Sequence, residues 1–267
     1  MRAHFHREMF EALSGPFLEW PDFPCPHCRL SSMEPTVEIF EDPESVLARN
    51  DPDWDPSRMF GFFHGTYGCS RPQCKKTHAI VGAWKAEWDP DLSIDEEFDE
   101  VANFDEASVP KSYEVRFAVP PLPMMDLPDK VPSSVQDLII SASSVILSDP
   151  SAAANRIRSA IEATLDDRRI RKLKPNRSPL ETHKRIEAFQ EKNPDAASHL
   201  MAMKWIGNLG SHERTPLPLN MVLDGIELFT QALELIYDNR YQKLARRAAE
   251  INKLGRRLRP PNANNGL

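Results

Sequence analysis

Cysteine occurs four times in the 267 residues, in two short pairs: Cys25-Pro-His-Cys28 and Cys69-Ser-Arg-Pro-Gln-Cys74. A C-x2-C turn and a C-x4-C turn each present two thiolates to one ion, and Zn2+ takes four soft ligands in a tetrahedron. The spacing therefore predicts one structural zinc site held by Cys25, Cys28, Cys69 and Cys74. Four thiolates leave no open position for a reactive water, so the expected role of the metal is folding energy. His27, His64 and His78 are alternative ligands, each able to displace a cysteine. About 40 residues separate the pairs, where zinc ribbons more often have about 15–20, so the gap must hold an insertion. The Asp- and Pro-rich piece Glu41 to Ser57 fits that place. Beside the second pair, His64, Tyr67, Arg71, Lys75 and Lys76 form a candidate exposed surface for a partner.

A second group of chemically capable residues lies far along the chain, in Met203-Lys204-Trp205-Ile206-Gly207-Asn208-Leu209-Gly210-Ser211-His212. In a helix, Lys204, Asn208 and His212 at i, i+4 and i+8 share one face. Gly207, Gly210 and the following Thr215-Pro216 predict fraying near His212. Upstream, Arg158 and Glu162 stand four apart in an Ala-rich stretch, the spacing of a helical ion pair. Two basic runs, Arg168 to Arg177 and Arg246 to Arg259, exceed what helix capping needs and suit a phosphate surface.

These two stretches resemble the bacterial domains of unknown function assigned to the HEPN (higher eukaryotes and prokaryotes nucleotide-binding) superfamily. Gly207-Asn208 with His212 resembles its G-N-x-x-x-H hallmark, and Ala152 to Glu162 its Ala-rich helix with Arg and Glu four apart. The resemblance covers about residues 130 to 245, and such domains are often preceded by a zinc knuckle, as at Cys25 and Cys28. It implies a helical bundle, a homodimer and a setting in bacterial stress or phage defence. Active members use an Arg, then a His four to six positions later, with two copies meeting across the dimer. Here Gly207 stands where that Arg would be, although Asn208 and His212 match. The expected function is a non-catalytic module binding RNA, a nucleotide or a protein through Arg158, Glu162, Asn208 and His212. The alternative is a metal-independent endoribonuclease or toxin using His212, Asn208 and Lys204, where Lys204 or Arg158 supplies the cation that RNA cleavage needs.

The elements that must position these residues are legible. Residues 1–20 form a helix or extension, with Phe5, Met9, Phe10 and Leu13 on one face. Residues 21–123 read as a zinc-ribbon-like β domain, with strands at Thr36 to Phe40, Met59 to Tyr67, Ala79 to Trp88 and Tyr113 to Val119, and an acidic loop at 89–106. Residues 124–131 are a Pro-rich linker, 132–255 a helical bundle and 256–267 a basic flexible tail. Prolines mark helix starts at Ser133, Pro150, Pro179 and Pro194, and a last long helix follows Asn220. Its stripe Val222, Ile226, Phe229, Leu233, Ile236 and Leu244 runs along one face. The fold class is α+β.

Charge is split between the halves: 21 of the 33 basic and 13 of the 40 acidic residues lie at 151–267, placing that part near +8 and residues 1–150 near −15. A basic second half tethered to an acidic first half can still attract phosphates locally, while total charge does not decide the partner. No run of residues suits a membrane helix or a secretory signal, and two cysteine pairs suit a reducing compartment, so a cytoplasmic protein without membrane contact is expected. There is no H-E-x-x-H for a zinc hydrolase and no phosphate-cradling glycine-rich loop.

Overall fold

The structure, a computed structural model, describes residues 3–88, 109–212, 216–238 and 240–257. The acidic segment 89–106 and the tail beyond residue 257 lie outside the described residues. An N-terminal helix and a four-stranded antiparallel sheet precede a helical region, so the α+β expectation is met.

Helix α1 (Ala3–Ser14) is followed by β1 (Met33–Glu41), β2 (Phe60–Cys69), β3 (Thr77–Ala86) and β4 (Lys111–Val119), which lie in that order across the sheet. Each expected strand is present. Alternation decides the faces. His78, Ile80, Gly82, Trp84 and Ala86 of β3 are buried, whereas Thr77, Ala79, Val81 and Lys85 are exposed. On the inner face Phe63, Tyr67, Ile80 and Val115 meet Met9, Phe10 and Leu13 of α1 in one core. Trp20 packs among Phe63, Tyr67 and Tyr113 at ring separations of 5.4, 5.9 and 5.7 Å. Tyr67, expected at the surface, is buried, and its hydroxyl donates to the Pro21 carbonyl at 2.5 Å. The strand's phase places it on the same face as Phe63, four residues away. Between β1 and β2 the expected insertion is a short helix α2 (Pro43–Ala48), capped by Asp42, and a 3-10 turn at Pro56–Arg58.

The helical region comprises α3 (Ser133–Ser143), α4 (Pro150–Asp167), α5 (Thr182–Gln190), α6 (Pro194–His212), α7 (Leu219–Tyr237) and α8 (Arg240–Arg257). Asp149 caps α4 as its sequence announces, accepting the Ala152 N–H at 2.8 Å. Two boundaries differ from expectation. Ser178 and Pro179 do not open α5: Asn176 accepts both the backbone N–H and the hydroxyl of Ser178, which closes a turn that ends in the Leu173–Pro179 bridge. The last helix is two, because Asp238 leaves helical geometry at φ −94° and ψ 109°. Val222, Ile226, Phe229 and Leu233 are buried as the stripe requires, but Leu244 lies beyond the break and is exposed. Each buried large apolar side chain contributes about 1.5–3 kcal/mol.

The Pro-rich connector is packed. Leu122, Met124, Met125 and Val131 are buried, and the core they join runs from α1 and the sheet into α3 to α7. No helix among the described residues is long and apolar enough to cross a membrane.

Candidate metal centre and helical polar cluster

Sheet pairing brings the two cysteine pairs together. Cys69 is the last residue of β2 and pairs with Met33, the first of β1; Met33 in turn donates its N–H to the Phe23 carbonyl, two residues before Cys25. The second pair spans the end of β2 and its connection to β3, and the first precedes the start of β1. Both turns have the same backbone plan. Arg29 N–H reaches the Cys25 carbonyl at 2.9 Å and Lys75 N–H reaches the Arg71 carbonyl at 3.2 Å, and the residue after each second cysteine is left-handed, Arg29 at φ 57° and Lys75 at φ 52°.

The four sulfurs lie within 4.8 Å of one another, with Cys25 to Cys74 at 3.9 Å and Cys28 to Cys69 at 3.7 Å. None is in a disulfide. A tetrahedron with metal–sulfur bonds of about 2.3 Å has edges of about 3.8 Å, so these separations fit four thiolates around one ion. Backbone N–H groups point at the sulfurs: His27 and Cys28 at Cys25, Leu30 at Cys28, and Arg71 at Cys69. The Leu30 N–H draws the Cys28 thiol down to about 7, while burial pushes Cys25 up and Cys69 up to about 12. Cys28 thus ionises more readily than Cys25 or Cys69, and a bound cation must bring those two with it. The cluster holds only cysteines among the described residues; His27, His64 and His78 are not in it.

The helical residues singled out above converge only in part. Arg158 Nη1 on α4 donates to Asn208 Oδ1 on α6, a long contact of 3.4 Å. Glu162 turns instead to α5 and accepts the Thr182 hydroxyl at 2.6 Å, so the expected Arg158–Glu162 ion pair is not made. Lys204 is buried on α6 with its ammonium 3.5 Å from the centre of the Trp205 ring. Burial lowers its pKa, the charge of Arg158 lowers it further, and Glu181 opposes both. Among the described residues neither Arg158 nor Lys204 makes a salt bridge with a carboxylate. His212 ends α6, and its side chain lies outside the described residues.

Gly207 has a packing reason. A Cβ there would stand 3.2 Å from the Ala154 carbonyl oxygen and 3.2 Å from Arg158 Cβ, with α4 directly opposite. The missing side chain is what lets α4 approach and set Arg158 beside Asn208.

Two family models cover these regions. Residues 141–254 match a domain of unknown function (DUF4145), and residues 18–113 match a second domain of unknown function (DUF8608). The first match takes in the Arg158, Lys204 and Asn208 cluster; the second takes in all four cysteines. No curated protein and no solved structure matches the chain.

Two polar arrangements around the metal centre were not visible as such in the sequence. The buried His78 presents Nδ1 to the Pro120 carbonyl at 2.6 Å; a carbonyl only accepts, so Nδ1 carries the proton and Nε2 the lone pair. His27 Nε2, 3.0 Å away, must then donate to it. Arg29, immediately after Cys28, donates to His6 Nε2 at 3.0 Å and to both oxygens of Asp126 at 3.1 Å, and lies 3.9 Å over the Phe5 ring. One guanidinium thus ties the first cysteine turn to α1 and to the connector. A partner 97 residues away leaves no local signal.

Burial lowers the pKa of His6 and of His78, so the fold holds both neutral. Their contribution is complete above the unfolded value of about 6.5 and is lost as pH falls through the lower folded values. Unfolding free energy is expected to fall as pH drops below about 6.5, by at most about 1.4 kcal/mol per pH unit for each such histidine. His6→Gln should give a shallower slope in denaturant titrations; an unchanged slope would show that His6 is not held neutral.

Proposed function

We propose that this chain is a zinc-stabilised, HEPN-like binding module without catalysis, whose helical half takes a phosphate of RNA or a nucleotide between Arg158 and Lys204. The observation that carries the reading is Arg158 at Asn208, near enough to the buried Lys204 to lower its pKa, with no carboxylate bridged to either cation. A poorly compensated buried cation costs stability unless an anion meets it. Arg158 offers from α4 the positive charge that Gly207 withholds from α6, and Asn208 adds an amide for a phosphate oxygen. The positive balance of residues 151–267 favours the same ligand class. In this reading residues 132–255 act as the ligand-binding unit, and residues 21–123 hold Zn2+ as a scaffold.

Fluorescence anisotropy with labelled RNA, and with nucleotides as competitors, tests it across a salt titration. Arg158→Ala and Lys204→Met should each weaken binding about 10- to 100-fold and reduce the salt slope by about 1. Lys204→Met, which removes the buried charge at similar volume, should melt at the same temperature as the parent or higher. Unaltered affinity in both variants would reject the site. Cleavage of the RNA that disappears in His212→Ala would replace the binding reading with a ribonuclease.

A further inference from the structure

A large aromatic side chain stands in the open beside the helical cluster. Trp205 of α6 is 52 % exposed, whereas Lys204 before it is buried and Ile206 after it half-buried. Its ring is braced from two directions: the Lys204 ammonium lies 3.5 Å from the ring centre, and the His183 ring of α5 meets it at 5.7 Å and 60°. His183 is in turn placed by Glu187, whose Oε1 lies 3.1 Å from His183 Nε2. Leu209, one turn further along α6, is exposed as well, so Trp205 and Leu209 form an apolar ridge. Lys204 and Asn208, also four apart, form the neighbouring row, and Asn208 accepts from Arg158 at 3.4 Å. An apolar ridge and a cationic row therefore run side by side along the same turns of one helix.

We infer that Trp205 stacks an unpaired nucleobase while Lys204 and Arg158 take a phosphate of the same strand, which makes the ligand of this site single-stranded RNA. This role rests on the phosphate site proposed above and adds the base to it. Three properties of the ridge select this occupant. A base offers a flat π-face that packs on an indole, whatever its identity. The ring carries a cation on it, and the cores of protein interfaces are depleted of charge because covering it strips its water; a nucleotide brings the compensating negative charge with it. A duplex keeps its bases stacked inside and would present only backbone to the ridge.

Anisotropy of the full chain with a labelled oligoadenylate, single-stranded or annealed to its complement, tests the role. Trp205→Ala should weaken binding of the single strand about tenfold or more and leave the duplex as in the parent, while Trp205→Phe keeps most of the affinity. The salt slope should stay that of the parent in both, because no phosphate contact is lost, whereas Arg158→Ala reduces it. Both substitutions are at an exposed position, and unchanged melting verifies folding. The single strand should also quench a tryptophan emission that Trp205→Phe lacks. Weakened binding in Arg158→Ala with parent affinity in Trp205→Ala would overturn the stacking role and leave the phosphate site standing; parent affinity in both would overturn the two together. A Trp205→Ala variant that loses salt slope, or that weakens the duplex equally, makes the indole only a brace for Lys204 and overturns its contact with a base. So does a variant that sediments as a smaller species than the parent, which would place Trp205 between copies of the chain.

Discussion

Cys25→Ser is expected to empty the metal centre and unfold the sheet half of the protein. The parent should carry about one Zn2+ per chain by elemental analysis, and the variant none. Structural zinc sites contribute about 10–16 kcal/mol of apparent binding energy in small peptides, as much as or more than the 5–15 kcal/mol that holds a whole domain folded. The two cysteine turns close the sheet at the end where Cys69 pairs with the start of β1 and Cys74 lies in the β2–β3 connection. Trp20, packed against Phe63, Tyr67 and Tyr113, reports on that core, and its fluorescence should shift to the red on metal loss. Strong chelators should produce the same change in the parent. A metal-free Cys25→Ser chain with the parent's melting temperature and emission would show that the four thiols are an ordinary buried cluster.

Gly207→Arg supplies the arginine that the resemblance to HEPN ribonucleases would call for, yet it is expected to damage the protein rather than activate it. The first carbon of any side chain would already press 3.2 Å from a backbone carbonyl of α4, which cannot swing aside as a flexible side chain could. Overpacking of this kind costs about 1–3 kcal/mol, and each kcal/mol lowers the melting temperature of a chain this size by about 2–4 °C. Separating α4 from α6 would also withdraw Arg158 from Asn208, so the RNA affinity proposed for this site should fall together with stability. Thermal melts and anisotropy on the same preparation read both. A variant that melts like the parent and cleaves RNA would mean that the glycine is a lost catalytic position with no packing duty.

Local signals announced much of this molecule. Alternating apolar residues set the four strands to within a few positions, and Asp149-Pro150 started α4 where it begins. The cysteine spacing alone foretold the cluster. What stayed hidden depended on residues distant in the chain, or on one signal serving two structures. Ser178-Pro179 suits a helix start as well as a turn, and only the Asn176 contacts decide for the turn. The apolar stripe of α7 continues in phase to Leu244, so nothing in the pattern betrays the break at Asp238. Proximity to the second cysteine pair suggests an exposed Tyr67, while its true environment follows from the phase of β2. Within the helical cluster, the types and spacing of Lys204 and Asn208 were legible, but that Arg158 faces them across Gly207 is a property of the α4–α6 crossing.

The packed connector has a consequence for ligand binding. A loose linker lets two surfaces wander, so a ligand that touches both gains only a modest effective concentration and must also order the chain between them. Here Leu122, Met124, Met125 and Val131 are buried, and Arg29 and Asp126 clamp the connector to the first cysteine turn. A ligand long enough to reach from the helical cluster to the cysteine turns would meet surfaces held at a fixed span. It would gain avidity without freezing a linker, and one of the wrong length would gain none. The connector is in this sense a molecular ruler.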